Sequence, residues 1–213
     1  MLFGLFFAIL IASETLHIAG VAQEFTRKLV HAAAAVLIAF FPWMFQINQG
    51  IVIASVGFIV FALAESYGLL PSVTKTTRRT YGALAFIVGV IGAALLVRES
   101  AWLPFQISVV ILGLSDSVAA LVGMSAQHRQ SSADTNADID TAKTWQGSLA
   151  FFAVTLLILL VAVSVWANPV DGVMVGAVLL FTTCLTMVEY ASPYGLDNLF
   201  LPILGTLMLG VMF

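Results

Sequence analysis

Between residues 104 and 126 the chain carries a single charge, Asp116, in an otherwise apolar run. A run of that length exceeds the roughly 20 residues a helix needs to cross a bilayer. In lipid, backbone N–H and C=O groups must be paired within the protein, and one segment alone achieves that only as an α-helix. A carboxylate at the middle of such a helix costs roughly 2.5–3.5 kcal/mol on insertion scales. Asp116 therefore needs a partner, a polar cavity or a chemical role. Gly113, Ser115, Ser117, Ala119, Ala120 and Gly123 surround it, and small side chains let other helices come close. Taken alone, Asp116 reads equally well as a structural hydrogen-bonding group of a bundle interior.

The same apolar texture runs through the chain. Of 213 residues, 61% are hydrophobic and 9% are charged, a balance that excludes an ordinary soluble domain. Apolar segments fall at about 1–20, 29–46, 50–70, 81–97, 104–126, 147–167, 170–190 and 196–213. The expected fold is all-α: a polytopic integral membrane helical bundle with seven or eight transmembrane helices, forming one domain over 1–213. The last segment holds Asp197, Asn198 and Pro202 and reads either as a span or as re-entrant. Pro193 and Gly195 predict a tight turn before it, and Asn168-Pro169 another between the sixth and seventh segments. Met1 opens directly into apolar sequence without a basic leader, so the first segment is expected to remain as a helix. Cys184 is the only cysteine, which excludes an intrachain disulfide. A net charge of −3 without a basic arm argues against a nucleic-acid partner.

Charge sets the expected orientation. Arg27, Lys28, Lys75, Arg78, Arg79, Arg129 and Lys143 fall on alternate loops, and the opposite loops carry only Arg98. Cytoplasmic loops collect Lys and Arg, so this face is expected in the cytoplasm and the N-terminus outside. Trp43, Trp102 and Trp166 fall at the predicted outer ends and Trp145 at the inner end, where indoles favour the interface. The polar stretch 127–143, with His128 and Arg129, reads as a solvated loop.

The unusual polar residues gather on that cytoplasmic half. Glu24, Arg27, Lys28 and His31 share one helical face by their spacing. Lys75, Arg78 and Arg79 precede Thr80-Tyr81-Gly82. Lys143-Thr144-Trp145-Gln146-Gly147-Ser148 opens the sixth span, where Lys143 can meet a phosphate and Gly147 and Ser148 can offer backbone N–H groups to an anion. Glu189 closes the seventh span, and Asp197 and Asn198 follow the turn. Asp116, Glu189 and Asp197 are three acids able to converge from different helices. Carboxylate oxygens suit Mg²⁺, which binds one or two of them together with substrate phosphates. With basic groups at the same face, this is the equipment of phosphoryl or nucleotidyl transfer, where positioning and charge stabilisation supply most of the catalysis. The soluble solutions are missing. Ala142 stands where a P-loop needs its second glycine, no protein-kinase motif set occurs, and no Cys/His cluster points to zinc.

At these residues the chain resembles the CTP-dependent polyprenol kinases: dolichol kinase, phytol kinase and CTP-dependent diacylglycerol kinase. The resemblance covers about 24–213. It rests on Arg27-Lys28-Leu29-Val30-His31, Arg79-Thr80-Tyr81-Gly82, Asp116 through Gly123, Lys143 through Ser148, and Glu189 followed by Asp197-Asn198-Leu199. The Tyr81-Gly82 block leans toward the phytol kinase branch. Two positions depart from the family: Ser115 stands where glycine is usual, and Gln146 where glutamate is usual. Gln146 keeps a hydrogen-bonding carbonyl and loses the charge. The resemblance implies a kinase moving the γ-phosphate of CTP to a membrane isoprenoid alcohol such as phytol, geranylgeraniol, farnesol or a dolichol. It implies Asp116, His31 and Lys143 as catalytic residues, and Arg27, Lys28, Arg79, Lys143, Gly147, Ser148 and Asn198 as nucleotide and phosphate contacts. Asp116, Glu189 and Asp197 would hold Mg²⁺. For the proton acceptor Asp116 ranks first and His31 second.

Three rivals stay open. Lys143 through Gly147 also resembles phosphatidate cytidylyltransferase, although that family ends in a different His-Gly-Gly and Asp-Arg signature. A transporter could use buried acids such as Asp116 with Glu14 and His17. It would scatter polar groups through the membrane depth and carry an internal repeat, and neither pattern is present. A degenerate family member with a scaffolding role is a third reading, raised by Ser115 and Gln146. Glu14, His17 and Glu65 have no place in the kinase reading.

Overall fold

The computed structural model describes residues 2–67, 81–97, 101–131, 143–167 and 170–213. They form α1 (Leu2–Ile18), α2 (Gln23–Ala39), a 3₁₀ turn (Phe41–Trp43), α3 (Ile47–Ser66), α4 (Gly82–Leu95), α5 (Leu103–Ser131), α6 (Trp145–Trp166), α7 (Gly172–Ala191) and α8 (Asp197–Leu209), with no strand among the described residues. Among the described residues, four segments are long and apolar enough to cross a membrane: Gln23–Trp43, Leu103–Gln127, Trp145–Trp166 and Gly172–Ala191. Shorter apolar helices accompany them. Of the seven or eight spans expected, four thus have the length. The 13 residues of α8 rise about 20 Å, short of the roughly 30 Å hydrocarbon core.

Local chemistry explains the boundaries. The alanine-rich stretch 32–35 favours helix, and Pro42 diverts the chain into the 3₁₀ turn because it cannot continue an α-helical ladder. The helix α2 begins at Gln23, ahead of the expected 29, so Arg27 and Lys28 are helical rather than loop residues. Helix α5 continues to Ser131, past the expected 126. Thr144 caps α6 by accepting the Gly147 N–H at 3.1 Å, and Asp171 caps α7 by accepting the Met174 N–H at 2.9 Å.

Helix α5 is the axis of the bundle. Of its apolar span 61% is buried, against 22% for α7, and Val109, Ile111 and Leu112 are sealed inside. Helices α2, α6 and α8 pack directly on it. Gly113 admits Ala35 of α2, where any Cβ would collide with the Ala35 methyl. Gly205 of α8 lies against Ser108, and Gly147 of α6 against the Ala119 carbonyl. Small residues therefore set the close approaches at three interfaces. Leu157, Val161 and Val165 of α6 and Leu179, Leu180 and Met187 of α7 face outward, an apolar surface suited to lipid rather than water.

The helices give the bundle two distinct ends. Gln106 at the start of α5 donates to the Ala39 carbonyl at the end of α2, 2.8 Å away. Trp43, Trp102 and Trp166 belong to this end. At the other end α2, α4, α6 and α8 begin and α7 finishes, and Trp145 lies there.

Candidate functional site

The first polar centre joins α2 to α5. Lys28 Nζ donates to Asp116 Oδ2, and His31 Nε2 lies 3.5 Å from the same oxygen. All three residues are buried, Asp116 to 4% exposure. The spacing Lys28 to His31 places both side chains on the α2 face that meets α5. Ser117 Oγ donates to the Lys28 carbonyl at 3.1 Å, and Thr155 of α6 donates to Ser115 Oγ at 2.9 Å. The His31 ring packs on Phe86 of α4 with centroids 4.7 Å apart.

The second centre gathers α6, α7 and α8. Lys143 Nζ lies 2.7 Å from Glu189 Oε1 and 2.6 Å from Asp197 Oδ2, and it donates to the Glu189 backbone carbonyl. The turn after α7 makes this meeting possible. Tyr194 and Gly195 both adopt left-handed backbone, at φ 56° and 80°. The reversal is closed by the Leu196 N–H donating to the Pro193 carbonyl at 3.0 Å. Glycine adopts that conformation freely, whereas a tyrosine there carries a cost of roughly 1–2 kcal/mol. Burial pushes the Lys143 ammonium toward deprotonation, but Asp197 and then Glu189 outweigh it and hold its pKa above the usual lysine value.

The two centres share one end of the bundle and one electrostatic field: Asp116 interacts with Lys143, and Arg27 with both Asp116 and Asp197. Asn198 extends the cluster to α4, donating from Nδ2 to the Gly82 carbonyl at 2.9 Å. The Tyr81 N–H donates to the Tyr194 carbonyl at 3.0 Å. Among the described residues, two buried side-chain atoms lack a hydrogen-bond partner: His31 Nε2 and Asn198 Oδ1. Both belong to this cluster.

Several expected phosphate contacts have other partners here. Arg27 is paired with Glu24, its Nε donating to Oε2 at 2.9 Å. Lys28 is committed to Asp116. Gly147 does not present a free N–H: it donates to the Thr144 hydroxyl, and a Cβ at Gly147 would lie 2.8 Å from the Ala119 carbonyl. Ser148 Oγ donates to Glu189 Oε2 at 3.0 Å, and its N–H to the Thr144 carbonyl at 3.0 Å. Arg79, with Lys75 and Arg78, lies outside the described residues, as do 132–142. The three acids divide into the two centres, and among the described residues no group of three or more His, Cys, Asp or Glu is arranged to hold a metal. The sequence did not single out the Thr144 cap, the Thr155–Ser115 bond or the Ser117 contact. Only Thr144 had a readable signal, a hydroxyl residue immediately before an apolar run.

The donor set is compatible with a hard divalent cation. Glu189 and Asp197 direct two carboxylate oxygens and a backbone carbonyl onto one cationic group, the Lys143 ammonium. Such oxygens are the usual ligands of Mg²⁺. No family model, curated protein or solved structure matches this chain.

Proposed function

We propose that the chain is a CTP-dependent kinase of a membrane isoprenoid alcohol, working at the bundle end where α2, α4, α6 and α8 begin. One observation carries this reading: the motif blocks around Lys28, Gly82, Asp116, Lys143, Glu189 and Asp197, far apart in sequence, gather at one end of the bundle in two polar centres of acids and ammonium groups. Helix starts carry partial positive charge, which favours phosphate at this end. The reaction joins the alcohol oxygen to the γ-phosphorus of CTP, breaks the bond from that phosphorus to its bridging oxygen, releases CDP and sends the hydroxyl proton to a base.

Bound with the nucleotide at Glu189 and Asp197, Mg²⁺ would neutralise charge on the phosphate oxygens. The chain's own residues supply the rest. Lys143 and Arg27 contact phosphates. Asp116, its Oδ2 already held by Lys28, orients the acceptor hydroxyl. Asp116 is the proton acceptor, with His31 second; the His31 Nε2 lies 3.5 Å from Asp116 Oδ2 and makes no hydrogen bond. Asn198 Oδ1 accepts from the substrate. An open, mostly apolar groove of about 380 Å³, lined by Leu121, Val122, Ser125, Ala126 and Gln146, runs beside the start of α6. It offers the isoprenoid tail a path from the bilayer. The basic face is proposed to be cytoplasmic.

The test is label transfer from γ-labelled CTP by the detergent-purified chain, offered phytol, geranylgeraniol, farnesol, a long polyprenol and diacylglycerol, with ATP as competing donor. Label on an isoprenoid alcohol is the expected outcome. Pyrophosphate release with phosphatidate would identify a cytidylyltransferase instead, and inactivity in both assays would return weight to a transporter or scaffold.

A further inference from the structure

Asp116 is bracketed on its own helix. Successive side chains of an α-helix diverge by about 100°, so Ser115 and Ser117 point to either side of Asp116. Each has a hydrogen bond to a different neighbour. Ser117 Oγ donates to the Lys28 carbonyl of α2 at 3.1 Å, and Ser115 Oγ accepts from Thr155 of α6 at 2.9 Å. Packing follows the same division: Gly113 meets Ala35 of α2, and the Ala119 carbonyl meets Gly147 of α6. Asp116 therefore looks into the seam between α2 and α6, while Leu114, Val118 and Val122 on the opposite face of α5 are exposed.

Thr155 differs from other hydroxyl residues of the bundle. Ser108 and Ser125 of α5, Thr182 of α7 and Thr206 of α8 donate to the carbonyl four residues back in their own helix, a local bond that fixes nothing between helices. Thr155 and Ser115 are fully buried, and their bond crosses from α6 to α5. We propose that Thr155 is a positioning residue: through Ser115 it fixes the turn of α5 that presents Asp116 to the acceptor hydroxyl, with Ser117 fixing the same turn from the α2 side. A glycine at position 115 would offer no side chain to Thr155 and leave this turn tied to α2 alone. Ser115 is thus half of an interhelical lock rather than a lesion in the motif. Only the step from a fixed turn to faster transfer rests on the kinase reading. Thr155 is sealed from solvent, so its effect should reach turnover and not nucleotide affinity.

The test is Thr155→Val, which keeps the shape and removes the hydroxyl, assayed on the full chain in detergent. The kcat for phosphate transfer should fall by about 10²-fold, the loss that a misplacement of about 1 Å can cause, with KM for CTP unchanged. Thr155→Ser should restore it. In an Asp116→Asn background Thr155→Val should have no further effect, because the group it positions is gone. An unchanged kcat in Thr155→Val, a loss that Thr155→Ser does not repair, or an equal further loss without the Asp116 carboxylate overturns the proposal. Ser115→Ala removes the same bond from the α5 side and decides if Thr155→Val does not fold. Failure of both to fold would make the bond structural and also overturn it. The hold on Asp116 is read without turnover from the rate at which an amine-reactive ester acylates Lys28, its buried partner, relative to Lys143. Faster labelling of Lys28 in Thr155→Val supports the proposal, and an equal rate contradicts it. Faster labelling in a chain that transfers no phosphate would defeat the kinase reading alone, and transfer by the wild type and Thr155→Val at one rate would defeat this proposal alone.

Discussion

Lys28 and Lys143 both end on carboxylates, yet they occupy opposite physical situations. Lys28 and Asp116 have side chains 8% and 6% exposed, enclosed between α2 and α5. Lys143 is 27% exposed and meets its acids where three helix ends converge. A buried pair suffers a large desolvation cost and a larger one if either partner is lost. A rim lysine keeps part of its hydration and can change partners. The difference is one of access: water reaches the outer ammonium and hardly the inner one.

The largest effect should come from the inner centre. Asp116→Asn keeps the side-chain volume and should lower phosphate transfer by roughly 10²–10⁴-fold, the span attributed to positioned acid–base groups. Turnover near the wild-type rate would remove Asp116 from the mechanism. Stability should show the next effect. Lys28→Met strands one buried carboxylate and should cost about 3–5 kcal/mol, and Lys143→Met strands two, Glu189 and Asp197, and should cost at least as much. A loss below about 1 kcal/mol for Lys143→Met in detergent denaturation would mean that it does not hold these acids.

A smaller effect tests the packing that brings the outer centre together. Gly147→Ala would place a methyl against the Ala119 carbonyl at 2.8 Å and should cost about 1–3 kcal/mol, as overpacking does. Gly176, also helical, has nothing within 4 Å of its would-be Cβ. Gly176→Ala should be neutral or stabilising by up to about 1 kcal/mol. The same melting temperature for both variants would contradict the tight α5–α6 contact.

The smallest effect is in pH. Asp197 and Glu189 hold the Lys143 pKa above its usual value against the effect of burial. A raised pKa means that the stabilisation is complete below the ordinary lysine pKa of roughly 10.4 and is lost as pH climbs through the folded value. The stability gap between wild type and Lys143→Met should therefore hold from about pH 7 to 10 and narrow above that. A gap that closes near neutrality would mean that Lys143 is not held by these acids.

Much of this arrangement was legible in the sequence because lipid leaves few options. Asp116 in an apolar run demanded partners, and its small neighbours marked where another helix could come close, as Ala35 does at Gly113. Pro193 and Gly195 announced the turn that brings Glu189 near Asp197. Partner choice was not legible. Periodicity placed Arg27, Lys28 and His31 on one face, but which of them reaches Asp116 depends on the register of α2 against α5, a tertiary fact. Lys143 read as a phosphate ligand, because nothing local reveals that two acids more than forty residues downstream face it. The length of α5 was underestimated because 127–131 is polar, and hydropathy ends at the bilayer while helix propensity continues.

The most direct test of the central claim is a paired assay of γ-phosphate transfer from labelled CTP to phytol or geranylgeraniol, run on the wild type and on Asp116→Asn in the same detergent. Labelled isoprenyl phosphate from the wild type, with at least a hundredfold loss in the folded variant, is the predicted result. No labelled alcohol from a monodisperse, Mg²⁺-supplied wild type, or equal labelling by both proteins, would contradict it.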